Sequence, residues 1–315
     1  MLVLAGLTGY SGPYAAPAKL NLMLRVVGRR ADGYHLLQTV FRFIDFGDTL
    51  HFRVRSDGVI ARVNDIPGVP ADADLCVRAA RALQAASNTK LGADIHLEKR
   101  LPMGGGLGGG SSDAATTLLA LNALWNCGLN RSQLIDFSVK IGADVPVFVF
   151  GQNAFAEGIG EALQAITLPD AWYVVLTPPV AVPTAAVFGR PELKRDSKKV
   201  TLKGFSIALQ NSGLDGKLVG KLVGKLVGKF GNPMLINDLQ AVVVQQYPEV
   251  ARHLDWLAQH GPAMMTGSGA CVFAAFAGEA EAQRVLCELP GDMQGFVARG
   301  LDCHPHHDLV QDIEQ

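Results

Sequence analysis

Two features of this chain combine residue types and spacings suited to chemistry on a charged ligand. The first is Pro102-Met103-Gly104-Gly105-Gly106-Leu107-Gly108-Gly109-Gly110-Ser111-Ser112, six glycines interrupted once and closed by two serines. Glycine tolerates positive φ and lets a ligand approach the backbone closely. A helix start adds unpaired N–H groups and the positive end of a dipole, so such a loop is built to hold an anion, most simply a phosphate. A flexible linker is the competing reading, and the apolar segments packed tightly on both sides argue against it. The second feature is Asp144, which stands between Gly142 and the run Val145-Pro146-Val147-Phe148-Val149-Phe150. An acid opening so apolar a run is a poor fit for a solvated surface charge, although a turn acid of the Asx type is a live alternative.

Three phosphate-loop templates can be tested on these residues. A Walker loop needs a lysine before its closing Ser/Thr, and Ser111–Ser112 arrive without one. The dinucleotide fingerprint is met by Gly104, Gly106 and Gly109, but a run of glycines satisfies many patterns. Moreover, a second helical stretch at Ser132–Ile141 stands where a strand ending in a ribose-binding acid belongs. A nucleotide-binding or redox module remains the reading from another class. The third template is Pro-x-Gly-Gly-Gly-Leu-Gly-Gly-Gly-Ser-Ser.

On that third template the chain resembles the GHMP small-molecule kinases. The resemblance is carried by the glycine loop together with Pro17-Ala18-Lys19-Leu20-Asn21-Leu22, Asp32-Gly33-Tyr34-His35, Ile141-Gly142-Ala143-Asp144-Val145-Pro146 and Gly267-Ser268-Gly269, in that family's order from Pro17 to Phe273. It implies an α+β, two-domain GHMP kinase fold, with an N-terminal nucleotide-binding α/β domain over 1–160 and a C-terminal ferredoxin-like substrate domain over 161–315. It also implies ATP and Mg²⁺ as cofactors, and a small alcohol carrying a cytidine diphosphate as substrate.

Phosphoryl transfer needs the phosphates cradled, their charge neutralised and an alcohol oriented for in-line attack. The resemblance assigns the cradle to Pro102, Met103, Gly104, Gly105, Gly106, Leu107, Gly108, Gly109, Gly110, Ser111 and Ser112, with Ser112 also serving the metal. Lys99, on the strand before the cradle, matches the family lysine near the nucleotide; a solvated strand-end lysine is the alternative. Asp144 is the candidate general base and Lys19 its partner, because a nearby ammonium favours a carboxylate's charged form and can stabilise phosphate charge. Strand alternation puts Lys19 and Asn21 on one face and turns Leu20 and Leu22 to the core. The resemblance assigns Asn21, Tyr34, His35, Asp144, Thr184 and Phe188 to the substrate. Aromatic stacking plus an imidazole hydrogen bond suits a flat pyrimidine. Tyr34 and Phe188 as core aromatics, and His35 as a satisfied polar residue, are the plainer options.

Composition bounds the rest. The chain has 315 residues, 49% hydrophobic and 18% charged, enough for two cores, and its net charge of −1 suggests neither a nucleic-acid nor a membrane-surface partner. Five cysteines without CxxC spacing read as free thiols in a reducing cytoplasm. The first fourteen residues lack the basic opening of a signal peptide, and Pro178, Pro179 and Pro183 argue against a membrane helix in the uncharged stretch 171–189.

These residues need elements to position them. Patterning predicts strands at 18–27, 38–44, 48–54, 93–101, 145–150, 172–176 and 270–276. It predicts helices at 74–86, 112–125, 132–141, 233–246, 249–259 and 279–287, with a turn-rich joint at 151–160. The Gly-Lys-Leu-Val repeat at 216–229 reads as an expansion in a peripheral loop. The Cys303-His304-Pro305-His306-His307 tail reads as mobile and solvated rather than metal-binding.

Overall fold

A computed structural model describes residues 7–205 and 236–310 of the chain; the repeat at 216–229 lies outside them. A long hairpin of β1 (Ser11–Arg29) and β2 (His35–Arg55) opens the fold, followed by β3 (Ile60–Arg62), α1 (Leu75–Ser87) and β4 (Gly92–Glu98). Next come α2 (Gly109–Leu124), α3 (Arg131–Ser138), α4 (Val145–Phe150) and the strands β5 (Ala154–Glu157), β6 (Ala162–Ala165) and β7 (Trp172–Leu176). Then α5 (Thr184–Phe188), α6 (Gln240–Gln246) and α7 (Pro248–Leu257) precede β8 (Ala263–Met265), β9 (Val272–Phe276), α8 (Glu279–Cys287) and β10 (Gly295–Leu301). Among the described residues no helix is long and apolar enough to cross a membrane.

The sheet runs β3-β4-β2-β10-β7-β9-β8, with β1 and the β5–β6 pair also set against β2. Strand β2 is its spine. It pairs with β4 through Thr49–Arg55, with β5 through Thr39–Phe41 and with β10 at Phe43–Ile44. The two strands expected at 38–44 and 48–54 are therefore one, and β1 begins at Ser11 rather than at residue 18. The sequence break between them is real but local. A register shift falls between Pro17 and Ala18 opposite Gly47, and a Cβ on Gly47 would lie 2.0 Å from the Ala16 carbonyl oxygen. A bulge bends a strand without ending it, and only glycine fits this one.

Among the described residues four apolar clusters fill the space around the sheet, the smallest joining Met23 and Val40 to Phe155, Leu168 and Phe205. Helices α1, α2 and α4 cover one end through Leu83, Leu118, Leu119, Val147 and Phe148 against Phe43, Leu50 and Ile95. Helices α6 and α7 bury Val243, Val250 and Leu257 against Val174 and Val272. Between these, Leu107 of the glycine loop is buried with Leu20, Val175 and Phe273. Leu107 is the one residue that breaks the glycine run, and its side chain pegs the loop into the middle of the fold.

Some elements differ from the sequence reading. The run at 145–150 is a helix, not a strand. Its β-branched residues favour strands, but Pro146 sits in the first turn, where a missing N–H costs nothing, and Gly151 ends the helix at φ +75°. The joint at 151–160 contains β5, whose pairing with β2 no local signal marks. Helix α1 starts one residue after the expected Asp74, because Asp74 is its N-cap and accepts a hydrogen bond from the Cys76 amide at 2.7 Å.

The histidine-rich tail is packed rather than mobile. The buried His304 ring meets Phe43 edge-on, and His306 Nε2 accepts a hydrogen bond from the Ala15 amide at 2.8 Å. His304 Nδ1 accepts from the His306 amide at 3.1 Å, so its proton is on Nε2, 3.2 Å from the Thr116 hydroxyl. Burial, then His306, His307 and Arg131, lower the His304 pKa from 6.5 to about 3. The unfolded chain thus takes up a proton that the folded chain refuses between those values, and stability falls as pH drops through that window. Replacing His304 with Gln should flatten the acid limb of a urea-unfolding pH series by up to about 1.4 kcal/mol per pH unit relative to wild type. Parallel limbs would contradict this assignment.

Candidate active site

The glycine loop connects β4 to α2 with φ of +71°, +75° and +74° at Gly104, Gly106 and Gly108. Its carbonyls turn into the protein. Leu107 O accepts from the Lys19 amide at 3.0 Å, Gly105 O from the Cys271 amide at 3.1 Å, and Gly106 O from Lys19 Nζ at 3.0 Å. Alternating left-handed residues make a concavity of N–H groups, and the first turn of α2 continues it, since Gly108 is that helix's N-cap and helix starts carry unpaired amides. At Gly106 a side chain would collide with main chain, and at Gly108 it would crowd two side chains on a left-handed backbone. A Cβ on Gly106 would lie 2.3 Å from Thr266 O, and one on Gly108 would lie 3.0 Å from the Phe148 ring and 3.1 Å from Lys19 Cε.

Two cavities meet at this loop. One, about 390 Å³, is lined by Lys99, Pro102, Met103, Gly104–Gly110, Ser111 and Asp113, with Ile66, Val69 and Leu97 forming an apolar wall. The other, about 290 Å³, is lined by Lys19, Asn21, Thr39, Asp144, Thr184, Phe188, Gly267 and Ser268. Gly104, Gly106, Gly108 and Ser111 belong to both. A group bound on the loop therefore lies between a site with an apolar wall and a polar site carrying a carboxylate. Ser111 faces both cavities, whereas Ser112 is wholly buried, lines neither, and its hydroxyl has no hydrogen-bond partner among the described residues.

Lys19 ties the polar site together. Its ammonium donates to Asn21 Oδ1 at 2.6 Å and lies 3.3 Å from Asp144 Oδ2. Asn21 is fixed in turn. Its Nδ2 donates to Thr39 Oγ1 at 2.8 Å, and its amide donates to Thr266 Oγ1 at 3.0 Å. Lys19 and Asn21 thus share a face of β1, while Leu20 is buried on the other. Asp144 is the N-cap residue of α4, yet its side chain makes no capping bond, and it keeps 35% of its surface exposed. The Asx-turn alternative does not hold, because the carboxylate is spent on Lys19 and open to the cavity. The turn it occupies leads into a helix, not a strand.

Lys99 is not a solvated strand-end lysine. At 21% side-chain exposure its ammonium is clamped between Asp48 and Asp113, 2.8 Å from the latter, beneath Gly109. Asp48 Oδ1 also accepts from the Arg100 and Leu101 amides at 2.6 and 2.8 Å. Burial lowers the Lys99 pKa, but Asp113 and Asp48 outweigh it and the net direction is up. Burial, reinforced by Asp48, pushes Asp113 well up against the pull of Lys99. One ammonium cannot neutralise two buried carboxylates, so the excess negative charge favours a proton on Asp113. The triad props the end of β4 and the start of α2 at the two ends of the loop.

Of the remaining expected residues, Thr184 and Phe188 line the polar cavity, while His35 lines neither cavity and adjoins the wall through its ring contact with Phe188. Thr184 Oγ1 and Ser268 Oγ are 2.7 Å apart, and Phe188 stacks on His35 with centroids at 4.8 Å and planes at 31°. Tyr34 is 62% exposed and lines neither cavity, so it is no core aromatic; Asp32 Oδ1 accepts its amide hydrogen at 3.2 Å and shapes the turn. Sequence reasoning missed Asp48, Asp113, Thr39, Thr266 and Asn237. The last donates to the Met265 and Gly267 carbonyls at 2.8 Å and holds the second glycine turn. Thr266 and Asp113 adjoin recognised motifs and were within reach of a sequence argument, whereas Asp48 and Asn237 gain their meaning only from distant partners.

Comparison with known proteins gives this arrangement a context. The family models described as the GHMP kinases N terminal domain and the GHMP kinases C terminal match residues 74–152 and 217–294. The 4-diphosphocytidyl-2-C-methyl-D-erythritol kinase of Thiobacillus denitrificans is 57% identical over 300 residues, covering 95% of this chain and 99% of its own. That of Nitrosospira multiformis is 57% identical over 299 residues, covering 94% and 93%. A crystal structure of 4-(cytidine 5'-diphospho)-2C-methyl-D-erythritol kinase superposes with a TM-score of 0.73 at 31% identity, covering 92% of this chain and 99% of that one. Methanococcus jannaschii mevalonate kinase shares the fold at a TM-score of 0.64 and 16% identity, covering 92% of this chain and 98% of its own.

The contacts at Gly106 set a stability difference within the loop. Gly106→Ala combines a left-handed backbone with a collision against main chain, and should lower unfolding stability by about 2–4 kcal/mol. Gly110→Ala, whose Cβ would meet only Leu75 Cδ1 at 3.5 Å, should change it by less than about 1 kcal/mol. Denaturant titrations of the two variants check the contrast, and equal effects would contradict the packing described.

Proposed function

The chain belongs to the GHMP kinase family, among its 4-diphosphocytidyl-2-C-methyl-D-erythritol kinases, and from that premise we propose how its residues carry out the reaction. The enzyme is an ATP-dependent kinase that phosphorylates the 2-hydroxyl of 4-diphosphocytidyl-2-C-methyl-D-erythritol in the non-mevalonate route to isoprenoid precursors. Carrying the role assignments is the juxtaposition of Asp144 Oδ2 and Lys19 Nζ at 3.3 Å, with the same ammonium 3.0 Å from the Gly106 carbonyl.

In our reading the triphosphate lies on the amides of Gly104–Gly110 and Ser111, with the adenosine end in the larger cavity. The cytidine-diphosphate-linked methylerythritol fills the polar cavity. Asp144 takes the proton of the acceptor hydroxyl as that oxygen attacks the γ-phosphorus. The bond from the γ-phosphorus to the β,γ-bridging oxygen breaks, and ADP leaves. Lys19 orients the carboxylate and opposes the charge that builds on the transferred group. Asn21 keeps Lys19 in place, and His35, Phe188, Thr184 and the exposed Tyr34 hold the cytidine end. On this division, residues 1–160 carry the nucleotide cavity, and residues 161–315 supply Thr184, Phe188 and the Gly267–Gly269 turn to the acceptor cavity.

Mg²⁺ fits this donor set. Ser111 and Asp144 both line the polar cavity, and a protein donor set this small suits an ion that keeps waters and phosphate oxygens as most of its ligands. We assign the metal-side hydroxyl to Ser111 in preference to the buried Ser112. When bound, the ion would neutralise phosphate charge.

Positioned proton abstraction contributes about 10²–10⁴-fold. Asp144→Asn and Lys19→Met should therefore each lower kcat by at least about 100-fold while ATP affinity, measured by calorimetry, changes less than about threefold. Near-normal turnover in either variant, followed as ADP release, would refute the roles of Asp144 and Lys19.

A further inference from the structure

Arg195 lies on the stretch after α5 and lines neither cavity. Its terminal nitrogens donate to the main-chain carbonyls of Phe188, Arg190 and Leu193 at 3.0, 2.6 and 2.9 Å, with that of Pro191 at 3.5 Å. Its Nε–H donates to His35 Nε2 at 3.0 Å. A guanidinium is always charged, has five N–H groups and has no acceptor. His35 Nε2 must then present its lone pair, and the proton of the neutral ring sits on Nδ1. Among the described residues Arg195 is the only hydrogen-bond partner of that ring, and the Phe188 face fixes its plane. Protonation of both nitrogens would set N–H against N–H beside a fixed cation. Burial, then Arg195 and Arg29, accordingly lower the His35 pKa.

We infer that Arg195 is a positioning residue for base recognition, holding His35 as the Nδ1–H tautomer so that the site offers the pyrimidine a donor and never an acceptor. The inference rests on the cytidylated-alcohol reading and deepens it. Cytosine presents a ring-nitrogen acceptor at N3, whereas uracil carries a proton there. A locked donor matches the first and opposes the second, and a donor set against a donor discriminates more sharply than a missing contact. The imidazole alone would not discriminate, since a ring free to switch tautomers accommodates either edge.

Imidazole nitrogen NMR of the substrate-free enzyme at neutral pH reads the tautomer directly. Steady-state kinetics with the cytidylated alcohol and its uridylated counterpart read the selection. Wild type should show His35 protonated on Nδ1. Arg195→Met should show mixed tautomers, about a tenfold higher KM for the cytidylated alcohol with kcat within about twofold, and about a tenfold loss of cytidine-over-uridine preference. Arg195→Lys, which keeps a donor for Nε2, should restore most of that preference. A wild-type ring protonated on Nε2 would overturn the inference. So would an Arg195→Met enzyme, destabilised or not, whose tautomer and preference match wild type, since Arg195 would then only brace its loop. A wild type that phosphorylates neither alcohol would overturn the substrate reading and this inference with it, a result distinct from any NMR outcome.

Discussion

Lys19 is bonded to the glycine loop twice, through its amide to the Leu107 carbonyl and through its ammonium to the Gly106 carbonyl. The same ammonium meets Asp144. One strand residue therefore sets the distance between an anion cradle and a carboxylate, and the rest of the fold serves to keep that strand where it is. Leu107 pegs the loop into the core from above, and the Lys99–Asp48–Asp113 triad anchors its two ends. A loop of six glycines would otherwise be the most costly part of the chain to order. Its disorder is removed by bonds to its carbonyls, which leaves its amides for a ligand.

Strand β2 makes this arrangement cooperative. It carries β1, and with it Lys19 and Asn21, on one side, while β4, β5 and β10 pair along its length. Elements far apart in sequence converge on the polar cavity because they share that spine. Thr266, which precedes the second glycine turn, hydrogen-bonds both Asn21 and Gly106. The two glycine turns also approach too closely for side chains, since a Cβ on Gly267 would lie 2.9 Å from the Gly106 carbonyl oxygen. Close backbone contact of this kind explains the glycine content better than flexibility does.

What can be read from the sequence follows from how local each signal is. The loop, Lys19 and Asp144 sit in contiguous motifs whose chemistry is implied by neighbouring residues, and the periodicity of α8 bounds it at 279–287. Residues 145–150 mislead because a buried run of valine and phenylalanine reads as a strand, and the proline and glycine that bracket it carry the helical information. Asp48 and Arg195 look like ordinary charges in the sequence. One takes its role from residues about fifty positions away, the other from His35 at a separation of 160. The histidine tail shows the same limit. Its composition suggests solvent, and only the packing of His304 against Phe43 and Thr116 reveals that this segment is part of the core.

The position of a bound triphosphate tests this arrangement most directly. A structure with a non-hydrolysable ATP analogue and the cytidylated alcohol should show the phosphates on the amides of Gly104–Ser111, with the acceptor oxygen within about 3 Å of Asp144. A nucleotide seated away from that loop, or an acceptor hydroxyl that Asp144 cannot reach, would contradict it.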